Sequence, residues 1–322
     1  MTTGRTWFRD LESEGLAIEL TPAIRAGDGV FETMRTFGGR IFRPATHLAR
    51  LREGATSLDL GELPSEATLT ELVLGIVERT RVDPDEERVV RIGAYAGSSV
   101  PDLLVQVESR RLPSVRVVPP SSRVDTAPYP HPQRFFSGER SAPPKWAARG
   151  PLAHALRRSH RSGFDETLLV TPEGWIIEGS RSNLVVVSGG RLVAPGPSAG
   201  ALPGVTRAAI LEVASRLRLD SEDRPVLPRE LRTASEAFLT SSLMGVSPVT
   251  VWSGHPIGGG SEGPGPVTTR IAAGYADLVE AECGRSPETE SRSGPRPVTS
   301  ASDSNPRRAP PRSRASRRRS PR

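Results

Sequence analysis

The chain has one cysteine, Cys283, in 322 residues. No internal disulfide can form, and Cys-based zinc modules are excluded. Aromatic residues make up only 5% of the sequence. No apolar run approaches the roughly 18 residues of a membrane-crossing helix. The N-terminal stretch MTTGRTWFRDLESEG has no apolar core of signal-peptide type, so secretion by that route is not expected and a cytoplasmic location is. The most informative scarcity is lysine. Of 43 basic residues one, Lys145, is a lysine; the others are arginine. Arginine replaces lysine for solubility or ion pairing, but its guanidinium stays protonated and is no nucleophilic amine. A single retained amine is therefore a candidate for covalent chemistry. The plain alternative is one surface lysine left by chance.

The net charge of +6 invites a nucleic-acid reading. The placement of the charge argues against it. Residues 281–322 hold 11 Arg against 4 Asp and Glu, so the excess sits in the tail and the rest is near neutral. A nucleic-acid-binding fold usually carries its basic stripe on the folded domain. Beyond Cys283 the composition turns to Ser, Pro and Arg, which cannot bury a core, and disorder is expected there. Nucleic acid is not expected as the main partner.

Hydrophobic patterning predicts strands at 16–20 and 29–37, a Gly38-Gly39 hairpin into 40–42, and a helix opened by Pro44. A second helix over 65–81 starts at Ser65 as cap, and strands at 88–95 and 103–109 follow. Pro119–Ser122 looks like a linker, followed by a loop rich in Pro and Ser. Next come a helix over 150–162, a hairpin of strands 166–171 and 175–178, and strands 183–187 and 191–194. Helices over 206–218 and 267–281 complete the folded part. Two mixed blocks imply two α+β domains, 1–118 and 119–281, with 282–322 as the tail.

Five segments carry a resemblance: GDGVFETMRTFGGRIFRPATHLARL (27–51), FDETLLVTPEGWIIEGSRSNLVVV (164–187), LPGVTR (202–207), FLTSSLMGVSPV (238–249) and GPGPVTTRIAAGY (263–275). In this order, bracketing the lone lysine, they resemble the class IV aminotransferases, the fold-type-IV group of pyridoxal-phosphate enzymes. That group includes D-amino-acid and branched-chain aminotransferases and 4-amino-4-deoxychorismate lyases. The resemblance implies the two-domain D-amino-acid aminotransferase-like fold, pyridoxal 5'-phosphate as cofactor and a homodimer. It implies that Lys145 is the Schiff-base lysine, which also moves the proton from the substrate α-carbon. Glu178 would face the pyridine nitrogen and keep it protonated. Arg50 would hold the phosphate through its planar fork of donors, with His47 one turn before it. Val205 and Thr206, at a helix start after Pro203-Gly204, would offer backbone N–H groups to the phosphate, with the Thr206 hydroxyl as a further donor. Ser241 and Ser242 resemble a second phosphate-side turn. Each has an ordinary alternative: a strand-end glutamate, a solvated helix arginine, a helix cap, two loop serines.

The substrate side is less clearly written. The Lys145-Trp-Ala-Ala-Arg-Gly150 stretch lacks the asparagine and tyrosine that branched-chain enzymes place after the lysine. The Arg-x-His pair of D-amino-acid enzymes is absent from VVRIGAYAG (89–97). Arg35, Arg91 and Arg149 are the candidates for a substrate carboxylate, each with a surface ion pair as alternative. Amino transfer between an amino acid and a 2-oxo acid is the expected activity. Pyruvate elimination from aminodeoxychorismate is the alternative within the family, and a binding protein acting through the basic tail is the alternative outside it.

Overall fold

The computed structural model describes residues 6–10 (backbone only), 21–81, 83, 86–128, 143–260 and 263–284. The expected strand at 16–20 and the tail from 285 lie outside the described residues. In chain order the first part holds β1 (Thr6–Asp10), α1 (Pro22–Ala26), β2 (Gly29–Phe37), β3 (Arg40–Ile41), α2 (Pro44–Ser57), α3 (Glu66–Arg79), β4 (Glu87–Tyr95) and β5 (Asp102–Arg110). The second holds β6 (Ser122–Pro128), α4 (Gly150–Arg161), β7 (Glu166–Val170), β8 (Ile176–Gly179), β9 (Asn183–Ser188), β10 (Arg191–Val193), α5 (Val205–Arg216) and β11 (Ser221–Glu222). It ends with α6 (Pro228–Thr233), β12 (Glu236–Ser241), β13 (Gly245–Trp252), β14 (His255–Pro256) and α7 (Pro266–Cys283).

Local chemistry explains most boundaries. Pro44 opens α2 with its φ already helical. The Ser65 hydroxyl accepts the Thr68 N–H at 3.2 Å and caps α3. Two expectations need correction. The segment from 122 is strand β6, not linker or loop, because it fills the gap between β13 and β7 and pairs with both in parallel. The last helix runs to Cys283, past the expected end at 281, because Leu278, Val279 and Cys283 are buried in the second apolar cluster.

The first sheet has the order β1-β5-β4-β2-β3. One face is apolar: Val30, Met34, Val90, Ile92, Val105 and Val107 pack against Leu48 and Leu51 of α2 and Leu69 and Val73 of α3. The second sheet closes on itself. Its strands run β9-β12-β13-β6-β7-β8, and β8 pairs back to β9 through Glu178 and Asn183. Alternation sends Leu168, Ile176, Leu184, Val186 and Leu239 into one cluster. It sends Val185, Val187 and Phe238 into another, against α5 and α7.

Phe42, just after β3, belongs to this second cluster although its chain neighbours serve the first sheet. It is 5% exposed and meets Tyr275 edge to face at 5.8 Å. Aromatic edge contacts of this kind add to the area burial. Phe42→Ala is expected to lower unfolding free energy by about 3–5 kcal/mol. Denaturant unfolding measures it, and a loss under about 1 kcal/mol would show that Phe42 is not part of the core.

Candidate active site

The site is built where the edge of the first sheet meets one end of the closed sheet. Residues 145–147 run as a short strand along the free edge of β2. Phe31 N donates to Lys145 O at 2.9 Å, Ala147 N donates to Gly29 O at 2.8 Å, and Val30 pairs with Trp146. This pairing puts Lys145 opposite Phe31 and on the same face. The Lys145 Nζ lies 5.0 Å from the Phe31 ring centre. Among the described residues no carboxylate stands within ion-pair distance of it. Burial is the main cause that lowers its pKa, to about 8; Glu32 and Glu178 pull it up, and Arg50 and Arg149 push it down.

Glu178 owes its direction to a β-bulge. Strict alternation from Ile176 would aim it inward. The β7–β8 register skips Ile177, so Glu178 lies opposite Leu169 and faces outward with it. There its carboxylate accepts the Leu202 N–H at 3.0 Å. Asn183 Nδ2 donates to Leu202 O at 2.9 Å. Burial raises the Glu178 pKa to about 7, against the Leu202 hydrogen bond and the positive charges of Lys145, Arg149 and Arg50.

Arg50, on α2, is held by both halves of the site. Its Nε and one terminal nitrogen donate to the two Glu32 oxygens at 2.6 and 2.7 Å. The other terminal nitrogen donates to Pro203 O at 2.5 Å. One N–H remains on each terminal nitrogen. Burial would raise the Glu32 carboxyl, but Arg50 and His47 outweigh it and hold it well below the usual carboxylate range. His47 Nδ1 stands 2.8 Å from Glu32, and burial lowers the His47 pKa.

The loop 202–204 links these groups: Leu202 N to Glu178, Pro203 O to Arg50, and Gly204 to the start of α5. Gly204 has no side chain to cap that helix. A Cβ there would collide with Asn183. The N–H groups of Val205 and Thr206 therefore start α5 without a capping side chain. The Thr206 side chain lies beside the Tyr275 phenol and works against the burial that raises its pKa. Ser241 and Ser242 sit at the β12–β13 turn. Thr240 pairs with Asn183, so this turn lies at the same end of the sheet as Glu178. Ser241 Oγ accepts the Met244 N–H at 3.3 Å.

The three candidate carboxylate partners separate. Arg149 caps the start of α4, with its guanidinium 5.7 Å from the Phe31 ring centre and a hydrogen bond to Ser180 O. It shares the ring that Lys145 faces. Arg91 lies on the same sheet face, one residue pair further along, and is ion-paired with Glu108 at 2.9 Å. Arg35 is buried and held by the Leu243 and Pro113 carbonyls at 2.7 and 2.8 Å. It braces the β12–β13 turn and does not reach Lys145.

Sequence reasoning missed three residues here: Glu32, Asn183 and Phe31. Glu32 did carry a signal. It is a carboxylate between Val30 and Met34 on the apolar face of a strand, where an unpaired charge would be costly.

This donor set fits a phosphorylated pyridine aldehyde. It offers an amine with a lowered pKa, a carboxylate beyond it, and an arginine with free N–H groups beside an uncapped helix start. The comparisons agree. The family described as "Amino-transferase class IV" matches residues 29–252. A protein of Aquifex aeolicus named "Probable branched-chain-amino-acid aminotransferase" is 32% identical over 151 residues, 46% of this chain and 48% of that protein. One of the same name from Thermotoga maritima is 27% identical over 258 residues, 78% and 86% of the two chains. Among solved structures, a branched-chain amino acid aminotransferase from T.th., complexed with N-(5'-phosphopyridoxyl)-L-glutamate, has a TM-score of 0.72 and 26% identity, over 87% of this chain and 93% of that one. The fold IV-transaminase CpuTA1 of Curtobacterium pusillum has a TM-score of 0.70 and 26% identity, over 84% and 92%. None of these names favours the lyase alternative. The chain belongs to the class IV aminotransferases, a family of pyridoxal-phosphate enzymes with the fold-type-IV architecture.

Proposed function

We propose that this enzyme moves an amino group between an amino acid and a 2-oxo acid, with Lys145 as the covalent and proton-carrying residue. The observation that carries the reading is the buried Lys145 amine, fixed by sheet pairing 5.0 Å from the Phe31 ring centre, with Arg50, Arg149 and Glu178 near enough to act on its charge. Pyridoxal phosphate supplies an aldehyde carbon and an electron-withdrawing ring. Lys145 Nζ would hold the aldehyde carbon. Arg50, the Val205 and Thr206 N–H groups, Ser241 and Ser242 would hold the phosphate, and Glu178 would face the ring nitrogen.

The residues then divide the work. Neutral at mildly alkaline pH, Lys145 Nζ would take the proton from the substrate α-carbon and return it two bonds away, across the nitrogen. Glu178, ionised above pH about 7, keeps a proton on the nitrogen it faces. Arg149 binds the substrate carboxylate, orienting the α-carbon toward Lys145. Phe31 is the apolar floor on which the substrate lies.

We further propose two domains, residues 1–118 and 119–281, working as a homodimer in the cytoplasm on small-molecule substrates, with no role for nucleic acid. No described helix is long and apolar enough to cross a membrane.

The absorption spectrum of the holoenzyme tests the activity. An amino donor, tried as D-alanine, L-leucine or L-glutamate, is expected to convert the bound cofactor to the pyridoxamine form, and 2-oxo acid to restore it. A yellow enzyme that no amino acid changes contradicts the reading. Arg149→Gln is expected to raise the KM for the amino acid about tenfold or more, with the cofactor spectrum kept. Arg91→Gln should change it far less, and the reverse ranking would move the carboxylate role to Arg91. Burial of Lys145 gives a third expectation. Carbamoylation of Lys145 by cyanate in the cofactor-free protein should rise with pH with a midpoint of about 8; a midpoint at the ordinary 10.5 contradicts it.

A further inference from the structure

The face of β2 that carries Phe31 continues across the first sheet. Register places Lys145, Phe31, Gly93 and Leu104 in one row, and Ala147, Gly29, Tyr95 and Asp102 in the next. Gly93 has no side chain, and Tyr95 fills the gap. A Cβ on Gly93 would lie 2.5 Å from Tyr95 Cε2 and 2.8 Å from the Tyr95 hydroxyl oxygen. Tyr95 Cδ1 lies 2.8 Å from a Cβ built on Gly29. The ring therefore lies back along its own strand, from beside Gly29 to above Gly93. Its hydroxyl ends next to Phe31, on the side away from Lys145. Among the described residues that hydroxyl has no hydrogen-bond partner, although the ring is half-buried and burial raises its pKa. A half-buried phenol normally finds a partner.

Adjacent strands lie about 4.8 Å apart, so Lys145 and Gly93 flank Phe31 across about 10 Å of sheet. An amino acid whose nitrogen is directed at Lys145 and whose side chain crosses the Phe31 ring reaches Tyr95 with its far end. We propose that Tyr95 is a specificity-determining residue: its hydroxyl hydrogen-bonds the polar end of the substrate side chain, so the enzyme prefers substrates ending in an oxygen over apolar ones of the same size. Glycine at 93 is the condition for this, because any Cβ there would push the ring off the strand. The inference rests on the aminotransferase reading of the site.

The test uses the holoenzyme and two isosteric amino donors, homoserine and norvaline, which differ by a terminal OH against CH3. Each is supplied as both enantiomers, and the faster is compared. The readout is the rate of conversion of the bound cofactor, as kcat/KM. The wild type is expected to favour homoserine by about tenfold, the worth of one hydrogen bond. Tyr95→Phe, which keeps the ring, should bring the ratio near one by slowing homoserine while leaving norvaline within about twofold. Gly93→Ala should erode the ratio in the same direction by displacing the ring. A wild-type ratio near or below one overturns the inference, and so does a ratio that survives Tyr95→Phe. A holoenzyme that no amino acid converts overturns the aminotransferase reading, and this inference with it.

Discussion

One buried ion pair governs the arrangement of this site: Arg50 against Glu32. The carboxylate comes from the apolar face of β2 and is fully buried. The guanidinium comes from α2, 11% exposed, and reaches on to Pro203 O. Removing one partner of such a pair costs about 3–5 kcal/mol, because the other is left charged in a dry place. Here the pair also has a positional effect. Glu32 takes two of the guanidinium's five N–H groups and fixes its plane. Pro203 takes a third and ties α2 to the turn before α5. An anion held by Arg50 and the α5 start is thereby held by both halves of the molecule.

Lys145 depends on the same frame. Its backbone is a strand residue at the edge of β2, so its position relative to Phe31 is set by sheet hydrogen bonds rather than by loop packing. Burial strips water from the amine and favours its neutral form. Arg50 and Arg149 add to this, and Glu32 and Glu178 oppose it. The outcome is an amine lowered to about 8 with, among the described residues, no carboxylate at ion-pair distance. Glu178 is handled in the opposite sense. Its burial favours the protonated acid, and only the Leu202 N–H and the nearby cations restrain this. A positive charge on a ring nitrogen facing it would favour the carboxylate further.

Much of this was legible in the residues. A lone lysine among arginines, bracketed by five ordered segments, named the family and the cofactor, and the helix starts at Pro44 and Ser65 are chemical signals that need no tertiary context. What escaped was set by pairing. Strand β6 looks like loop because its value lies in closing a sheet with β13 and β7, which no local pattern records. Glu178 faces the site only because Ile177 is bulged out, and alternation alone points it elsewhere. Arg35, Arg91 and Arg149 are chemically identical in a linear reading. They differ in what they touch: two carbonyls for Arg35, a glutamate across the sheet for Arg91, and for Arg149 the Ser180 carbonyl and a ring shared with Lys145. Tyr95 carried no signal at all, since its position depends on the absence of a side chain two residues before it.

The claim on which the account stands is that Lys145 carries the cofactor. Borohydride reduction of the holoenzyme followed by peptide mass mapping tests it directly. The account predicts a phosphopyridoxyl mass on the peptide containing Lys145, and loss of the yellow absorption band in Lys145→Ala. Label found elsewhere, or a Lys145→Ala protein that keeps the band, would contradict it.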